Sequence, residues 1–274
     1  MKRWMKLPRS VFQGCIAALL TLAIASSASS ADPKPGAEER AAKVRLELRS
    51  TDVAVRQAAI GSLVHSDLST LMFEDIRAAL ADKDGAVRST AGTAIGNLGK
   101  QAVPAVPQLV AQLKNDPVKE ARETAARALG RIGKAAPEER SMVRALQTAT
   151  KEDADPVTRV VALGALAMLN LDLPEQVLSL RKFLHHDDAL VRMKSAHALG
   201  GIGIAAKEAS AEIVEVLQRE TDDHRRGYVA RAVGNVGDPA ALPALEAALA
   251  KETYDGAKGE MRGAISKLKS IRDQ

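Results

Sequence analysis

Histidine and aspartate residues lie together at two points of the sequence, and both residue types can bind a divalent metal ion. The first run is His185-His186-Asp187-Asp188, and the second is Asp222-Asp223-His224. Imidazole and carboxylate groups from neighbouring turns could converge on zinc or a similar ion. The alternative is that Asp188 and Asp222 begin helices and that the other side chains are solvated turn residues. We favour the alternative and assign no catalytic residue, no metal ligand and no cofactor.

A single arginine recurs along the chain at intervals of 32 to 37 residues. The seven copies are Arg56, Arg88, Arg122, Arg159, Arg192, Arg226 and Arg262. Such a row could line a groove for phosphate or nucleic acid. However, an aspartate stands four residues before the arginine in five copies, and groups at this spacing share one helix face. We therefore expect structural, carboxylate-paired arginines; Val118 and Lys258 take the aspartate position before Arg122 and Arg262, whose pairing stays open.

The residues around each arginine have the spacing of an amphipathic helix. In 87–99, for example, apolar residues fall three or four positions apart along one stripe. The preceding aspartates suit the N-cap, and a proline follows in Asp116-Pro117 and Asp155-Pro156. Residues suited to the left-handed position after a helix stand at the far ends: Gly99, Gly133, Asn170, Gly203 and Gly237.

A second amphipathic stretch separates each pair of arginine blocks, as in 103–114 and 139–150. We count seven stretches of each kind, which predicts roughly fourteen antiparallel helices, and no segment alternates long enough to favour a strand. A repeat of this length cannot bury its apolar face alone and is stable only when stacked on its neighbours. The sequence therefore predicts an all-α fold, a right-handed α-solenoid of about seven two-helix repeats over residues 38–274.

The repeated pattern resembles the HEAT-repeat superfamily. Its motif here is D-x-x-V-R-x-x-A-x-x-A-L-G-x-I-G followed by P-A-x-x-x-L-x-x-x-L, in the short form that phycobilisome-lyase-like proteins also carry. The resemblance covers nearly the whole chain after about Glu38. It implies that the aspartate and arginine form a ladder binding adjacent repeats together. It is specific for fold but not for function, because HEAT arrays serve as many different binding surfaces.

Enzymes with related repeats do not match these residues. Deoxyhypusine hydroxylase-like arrays carry His-Glu pairs for two irons, and this sequence has no His-Glu dipeptide. A bilin lyase resemblance rests on the repeat alone, and those proteins act in the cytoplasm. A HEAT-like DNA glycosylase would need a basic groove with aromatic residues, for which the sequence gives no sign.

The first 31 residues have the layout of a secretory signal peptide. Four basic residues precede a mostly apolar run over 11–25, and small residues follow up to Ala31. A run of this length is short for a membrane crossing. We expect cleavage near Ala31, a tether over 32–37 and a periplasmic or secreted protein without stable membrane insertion; an uncleaved anchor is the alternative.

Removal of the signal segment changes the charge balance. Lys and Arg together fall from 39 to 35 against 34 Asp and Glu, so the net charge falls from +5 to +1. A nearly neutral chain has no broad electrostatic footprint for nucleic acid. We therefore expect no nucleic-acid partner.

The sequence predicts a non-enzymatic, exported scaffold that binds a protein or peptide partner through the helices between the arginine blocks. The polar faces of these helices supply the candidate contacts: Gln108, Gln112, Arg144, Gln147, Arg181, Lys182, Glu212, Glu215 and Arg219. The alternative is an extracytoplasmic metal-dependent or lyase-like enzyme that uses the His185 and His224 turns.

Overall fold

Residues 36–273 are described by a computed structural model, and every regular element within them is helical. The helices that carry the recurring arginines, here the arginine helices, are α2 (Val53–Leu63), α4 (Gly85–Asn97), α6 (Lys119–Ala135), α8 (Pro156–Met168), α10 (Ala189–Ile202), α12 (Asp223–Val236) and α14 (Asp255–Arg272). The intervening helices are α1 (Ala37–Leu48), α3 (Phe73–Ala79), α5 (Val106–Asn115), α7 (Ser141–Glu152), α9 (Leu173–Phe183), α11 (Ser210–Arg219) and α13 (Leu242–Lys251). Their strict alternation confirms the all-α solenoid of seven pairs.

The expected signal peptide and most of the expected tether, residues 1–35, lie outside the described residues. Ala41–Gln274 form one compact unit, and the other unit, Met1–Arg40, is described only from Gly36 onward. None of the described helices is long and apolar enough to cross a membrane.

The core of the larger unit follows one position of the repeat. Seven residues after each of the first six recurring arginines stands an aliphatic side chain that is at most 2% exposed: Leu63, Ile95, Leu129, Leu166, Leu199 and Val233. Burying such a side chain contributes roughly 1.5–3 kcal/mol. Each arginine helix packs on the arginine helix of the next pair and on intervening helices. The buried face is therefore continuous along the stack.

The helix starts agree with the sequence at the five expected caps. Asp52, Asp84, Asp155, Asp188 and Asp222 each accept a hydrogen bond from a backbone N–H in the first turn of the following helix. Asp116 is different, because α6 begins at Lys119 after an N-cap at Val118 that makes no side-chain bond. The interpretation of Asp116-Pro117 as cap and first helical residue is therefore wrong.

Four of the five expected left-handed positions are present after the helices. Gly99, Asn170, Gly203 and Gly237 all have positive φ. Gly133 does not, since α6 continues to Ala135. A Cβ at Gly133 would lie 2.5 Å from Leu169 Cδ2, so the end of that leucine side chain would have to move to admit one.

Close approach between successive arginine helices depends on glycines in their interiors. A Cβ on Gly96 would lie 2.9 Å from Ala128 Cα, and one on Gly130 would lie 2.8 Å from Ala165 Cβ. Gly200 and Gly234 face Ala232 and Ala264 at the same position of later repeats. These glycine–alanine contacts set the distance between successive arginine helices, because almost no side-chain atoms separate the two backbones there.

The recurring arginines join neighbouring pairs of helices. Nε and Nη2 of Arg88 donate to the two carboxylate oxygens of Asp116 at 2.7 Å, while Nη1 donates to the carbonyl oxygen of Asp82 at 2.8 Å. The same two-bond geometry recurs in three other pairs: Arg56 with Asp82, Arg122 with Asp153, and Arg226 with Glu252. Arginine–carboxylate pairs thus form a ladder between neighbouring repeats. The prediction that each arginine pairs with the aspartate four residues earlier is wrong.

The carboxylates of this ladder occupy one fixed position in the turn before each arginine helix. Besides accepting from the preceding repeat's arginine, each accepts the backbone N–H two residues further on, as Asp116 does from Val118 at 2.9 Å. Asp82, Asp153 and Glu252 do the same for Asp84, Asp155 and Tyr254. One side chain therefore orders its own turn and binds the previous repeat.

The ladder is interrupted between α8 and α12. His186 stands at the carboxylate position, and its Nδ1 accepts the N–H of Asp188 at 3.0 Å. Arg159 is consequently left with a buried Nε that has no hydrogen-bond partner within the described residues, and its guanidinium lies 5.7 Å from the centre of the Phe183 ring. In the next repeat Glu220 is contacted by Arg225, and Arg192 donates to the carbonyl oxygens of His186 and Asp187.

Candidate functional site: a basic groove on the arginine helices

A cavity of about 620 Å³ opens on the arginine helices α6, α8, α10 and α12. Residues five positions after each recurring arginine point away from the buried row, since two positions along a helix correspond to a rotation of about 200°. In α6, α8 and α10 this position holds Arg127, Gly164 and His197, all of which line the cavity. The cavity lies over the helix whose outward residue has no side chain.

The floor of this cavity, here called the basic groove, is made of small and apolar residues. Gly164 and Ala165 from α8 line it together with Ala198 and Gly201 from α10. A Cβ on Gly164 would lie 3.4 Å from Ala198 Cβ, an ordinary contact, so this glycine is not required by helix packing. Met168, which is 42% exposed, extends the apolar floor.

The walls of the basic groove carry an excess of positive charge. Arg127, Arg131 and Lys134 follow one face of α6 at the spacing of successive helical turns, and Lys194 stands across the groove on α10. Arg127, Lys134 and Lys194 have no carboxylate within 4.0 Å among the described residues, and Arg131 donates to the side chain of Asn97. The negative charge of Glu123 acts on two of these cations, Arg127 and Lys194.

Partial burial perturbs the charged groups of the groove. It lowers the pKa of Arg127 and of Lys194, and the positive charge of Arg127 lowers the pKa of Lys194 further. Burial also raises the pKa of Glu123. Each shift means that the charged form is less well solvated than in water. A bound anion would relieve this cost for the cations.

His197 and Tyr228 form the rim of the groove towards α12. Partial burial, followed by the charges of Lys194, Arg127 and Arg231, lowers the pKa of the His197 imidazole. The His197 and Tyr228 rings meet edge to face, with centroids 6.5 Å apart. Arg231 lies over the Tyr228 ring and is neutralised by Glu260, so it adds less free charge to the groove.

The residues proposed from sequence lie elsewhere, on the intervening helices. Six are exposed on those helices: Gln108, Arg144, Gln147, Lys182, Glu215 and Arg219. Arg181 on α9 donates two hydrogen bonds, of 2.7 and 3.0 Å, to the carboxylate of Glu212 on α11 of the next repeat. Gln112 is only 7% exposed, so its placement on the polar face is wrong.

Two of the predicted contacts, Gln147 and Lys182, line a second cavity of about 510 Å³. The other charged residues around it are Lys151, Asp172 and Glu175, so positive and negative side chains are balanced there. This cavity therefore has no preference for an anion comparable to that of the basic groove.

The two histidine-containing turns do not converge on one point. Within residues 36–273, the only group of three ligand-type side chains that lie within 4.8 Å of one another is Asp222, Asp223 and His224, all from one turn. Asp222 is engaged as the cap of α12, and Asp223 contacts His224 Nδ1 at 2.9 Å. The first turn is used differently, since His186 accepts a backbone N–H.

Sequence reasoning missed the basic groove although its signal was present. The position five residues after each of the first six recurring arginines reads Gly61, Thr93, Arg127, Gly164, His197 and Arg231. Three of the last four members are basic, and the exception is the glycine that opens the cavity. This second row follows the same period as the recurring arginines and lies on the opposite side of the helices. The nearly neutral charge of the chain without its first 31 residues gives no indication of this local excess of positive charge.

Comparisons with known proteins agree with this architecture. The model of the family described as HEAT repeats matches residues 41–130, 73–148 and 143–229, and that of the PBS lyase HEAT-like repeat matches 225–251. The chain therefore belongs to the HEAT repeat family. A comparison with curated proteins finds no significant match.

Solved structures with the same kind of fold are distant in sequence. The complex of CpcE and CpcF of phycocyanin lyase from Nostoc sp. PCC7120 is 21% identical, with 89% of this chain and 98% of that chain covered and a TM-score of 0.50. An engineered protein is 22% identical, with coverage of 84% and 96% and a TM-score of 0.39. Importin beta is 17% identical, with coverage of 86% and 37% and a TM-score of 0.42. These likenesses concern the fold alone.

Proposed function

We propose that this chain is an exported scaffold that binds a protein or peptide partner through its extended helical surface and catalyses no reaction. The single observation that carries the proposal is the basic groove, in which Arg127, Arg131, Lys134 and Lys194 surround an apolar floor. Cations around an apolar floor can hold and orient a partner, because charge gives specificity and apolar area gives affinity.

The proposal moves the binding surface from the intervening helices to the arginine helices. On the intervening helices, Arg181 and Glu212 satisfy each other, and Gln112 is buried. In the groove, Arg127, Lys134 and Lys194 have no ion-pair partner among the described residues. We retain Gln147 and Lys182 beside the second cavity as a subsidiary contact surface.

A metal-dependent or lyase-like enzyme is the second candidate function. The grouping of Asp222, Asp223 and His224 favours it, but Asp222 already accepts the N–H of Arg225. Metal analysis of the purified protein, with His224→Ala as a comparison, tests this candidate. We expect no stoichiometric metal in either form; one metal ion per chain that the substitution removes would favour the enzyme.

Export is tested by intact mass measurement of the protein recovered from the cell envelope and the medium. We expect a chain shortened by about the first 31 residues, as the signal-peptide layout requires. A full-length chain confined to the cytoplasm would contradict export.

Partner binding is tested with a photo-crosslinking amino acid at Met168 in the groove and at Leu178 on α9 as the control. Both side chains are apolar and exposed, at 42% and 54%. We expect one reproducible protein partner at position 168 and a much weaker signal at position 178. A partner captured only at position 178 would place binding on the intervening helices, and no partner at either would contradict the scaffold.

A further inference from the structure

We infer that the basic groove binds an acidic, carboxylate-bearing extended segment of the partner protein. This inference rests on the proposed function and adds the chemistry of the occupant. Its basis is charge complementarity between the four groove cations and the segment, together with the shape of the groove floor.

The cations are distributed along a line and do not converge on one point. Arg127, Arg131 and Lys134 span two turns of α6, or about 10 Å of helix axis. Lys194 faces this line from α10, close enough to lower its own pKa through the charge of Arg127. A single phosphate needs its donors gathered around one centre, whereas this spacing suits several carboxylates in succession. Arginine also binds a carboxylate through two parallel hydrogen bonds.

The floor indicates which residues separate those carboxylates. Ala198 and Met168 present apolar surface between the basic walls, and Gly164 leaves depth for a side chain to enter. In an extended segment, alternate side chains point in opposite directions. A segment in which apolar and acidic residues alternate would place apolar groups towards the floor while its carboxylates reach the walls.

The partial burial of two groove cations supports this assignment. Among the described residues, Arg127 and Lys194 have no ion pair, and their pKa values are lowered by burial. A carboxylate placed between them would replace the lost solvation with direct charge pairing. Glu123 already provides a small amount of that compensation within the chain.

Calorimetric titration with a synthetic peptide tests the inference. The probe is an eight-residue, end-capped peptide of alternating Glu and Leu, and its matched control carries Gln in place of Glu. We expect the Glu peptide to bind the purified protein at least about tenfold more tightly than the Gln peptide. Arg127→Gln combined with Lys194→Gln should weaken binding of the Glu peptide by at least about tenfold. Lys114→Gln, an exposed lysine on α5, should change it less than about twofold.

Each other result overturns the inference. Equal binding of the two peptides would remove the role of the carboxylates, and unchanged binding by a natively folded double variant would place the site elsewhere. Displacement of the Glu peptide by equimolar inorganic phosphate would identify a phosphate site instead. A partner crosslinked at Met168 together with no peptide preference would defeat this inference but leave the scaffold intact; a peptide preference without any crosslinked partner would defeat the scaffold.

Discussion

The guanidinium of Arg88 binds the carboxylate of Asp116, 28 residues later, and not that of Asp84, four residues earlier. Both carboxylates are nevertheless used. Asp84 accepts the N–H of Ala86 and caps its own helix, whereas Asp116 bridges two repeats. In the repeated D-x-x-x-R motif, the aspartate therefore caps its own helix, and the arginine binds a carboxylate of the next repeat.

Removing the two carboxylates should have unequal effects on stability. Asp116→Ala leaves Arg88, whose side chain is 13% exposed, without its charged partner, and we expect a loss of about 3 kcal/mol. Asp84→Ala removes a cap and should cost about 1 kcal/mol. Urea unfolding of both variants and of Arg88→Ala measures the difference. Equal losses would contradict the assigned partner, as would full additivity of Arg88→Ala and Asp116→Ala.

Restoring the missing carboxylate should repair the interrupted ladder. His186→Asp places an acid where Asp153 stands in the preceding repeat, so it can accept from Arg159 as well as from the N–H of Asp188. We expect stabilisation of about 1 to 2 kcal/mol and a higher melting temperature, because the buried Nε of Arg159 gains a partner.

The control for this substitution is the same change in Arg159→Ala, where no guanidinium remains to be paired. There, His186→Asp should give little or no gain in thermal unfolding. A gain of equal size in both backgrounds would mean that Arg159 is not the group being satisfied.

Acid should weaken the last rung of the ladder in a defined pH window. The hydrogen bond from Arg226 lowers the pKa of Glu252 from 4.5 to about 2. Because the carboxyl pKa is depressed in the folded chain, its stabilisation is complete above pH 4.5 and is lost as the pH falls towards 2. The shift corresponds to a contribution on the order of 3 kcal/mol.

The variant Glu252→Gln, which has no titrating carboxyl at this position, is the control for the loss of stability between pH 4.5 and pH 2. The variant should be less stable near pH 7, and its free energy of unfolding should fall less steeply between pH 4.5 and pH 2, as measured by urea unfolding at each pH. Asp82 retains its own pKa depression through Arg56, so some slope persists. Identical slopes in the two proteins would contradict the role of Glu252.

A larger side chain at Gly164 should fill the basic groove, which would weaken partner binding while raising the stability of the fold. Gly164→Met adds a side chain over the floor, and its Cβ would make only an ordinary contact with Ala198. Glycine in a helix interior costs roughly 1 kcal/mol relative to a good helix former. We therefore expect a higher melting temperature together with loss of crosslinking at position 168. Undiminished capture in this variant would show that the partner does not enter the groove.

The features that sequence predicted depend on residues within one or two helical turns. Asp52 and Asp222 are recognisable caps because the N–H groups they accept lie two or three residues away. The helix end predicted at Gly133 is wrong because α6 continues to Ala135, and no residue pattern around Gly133 records that extension.

The groove was missed for a related physical reason. Arg127 and Lys194 are 67 residues apart in sequence, and both line the same cavity because α6 and α10 lie on either side of α8, which Gly130 allows to pack closely on α6. The hollow itself is produced by an absent side chain at Gly164. Local periodicity identified the helices, but the outward row became visible only when the repeats were stacked.

The most direct test of binding through the arginine helices is hydrogen exchange measured on the protein alone and with its crosslinked partner, purified and added in excess. The prediction is slower exchange in α6, α8 and α10 around Arg127, Gly164 and His197, by more than any change in α7 and α9. Protection confined to α7 and α9, or absent from every helix, would contradict the account.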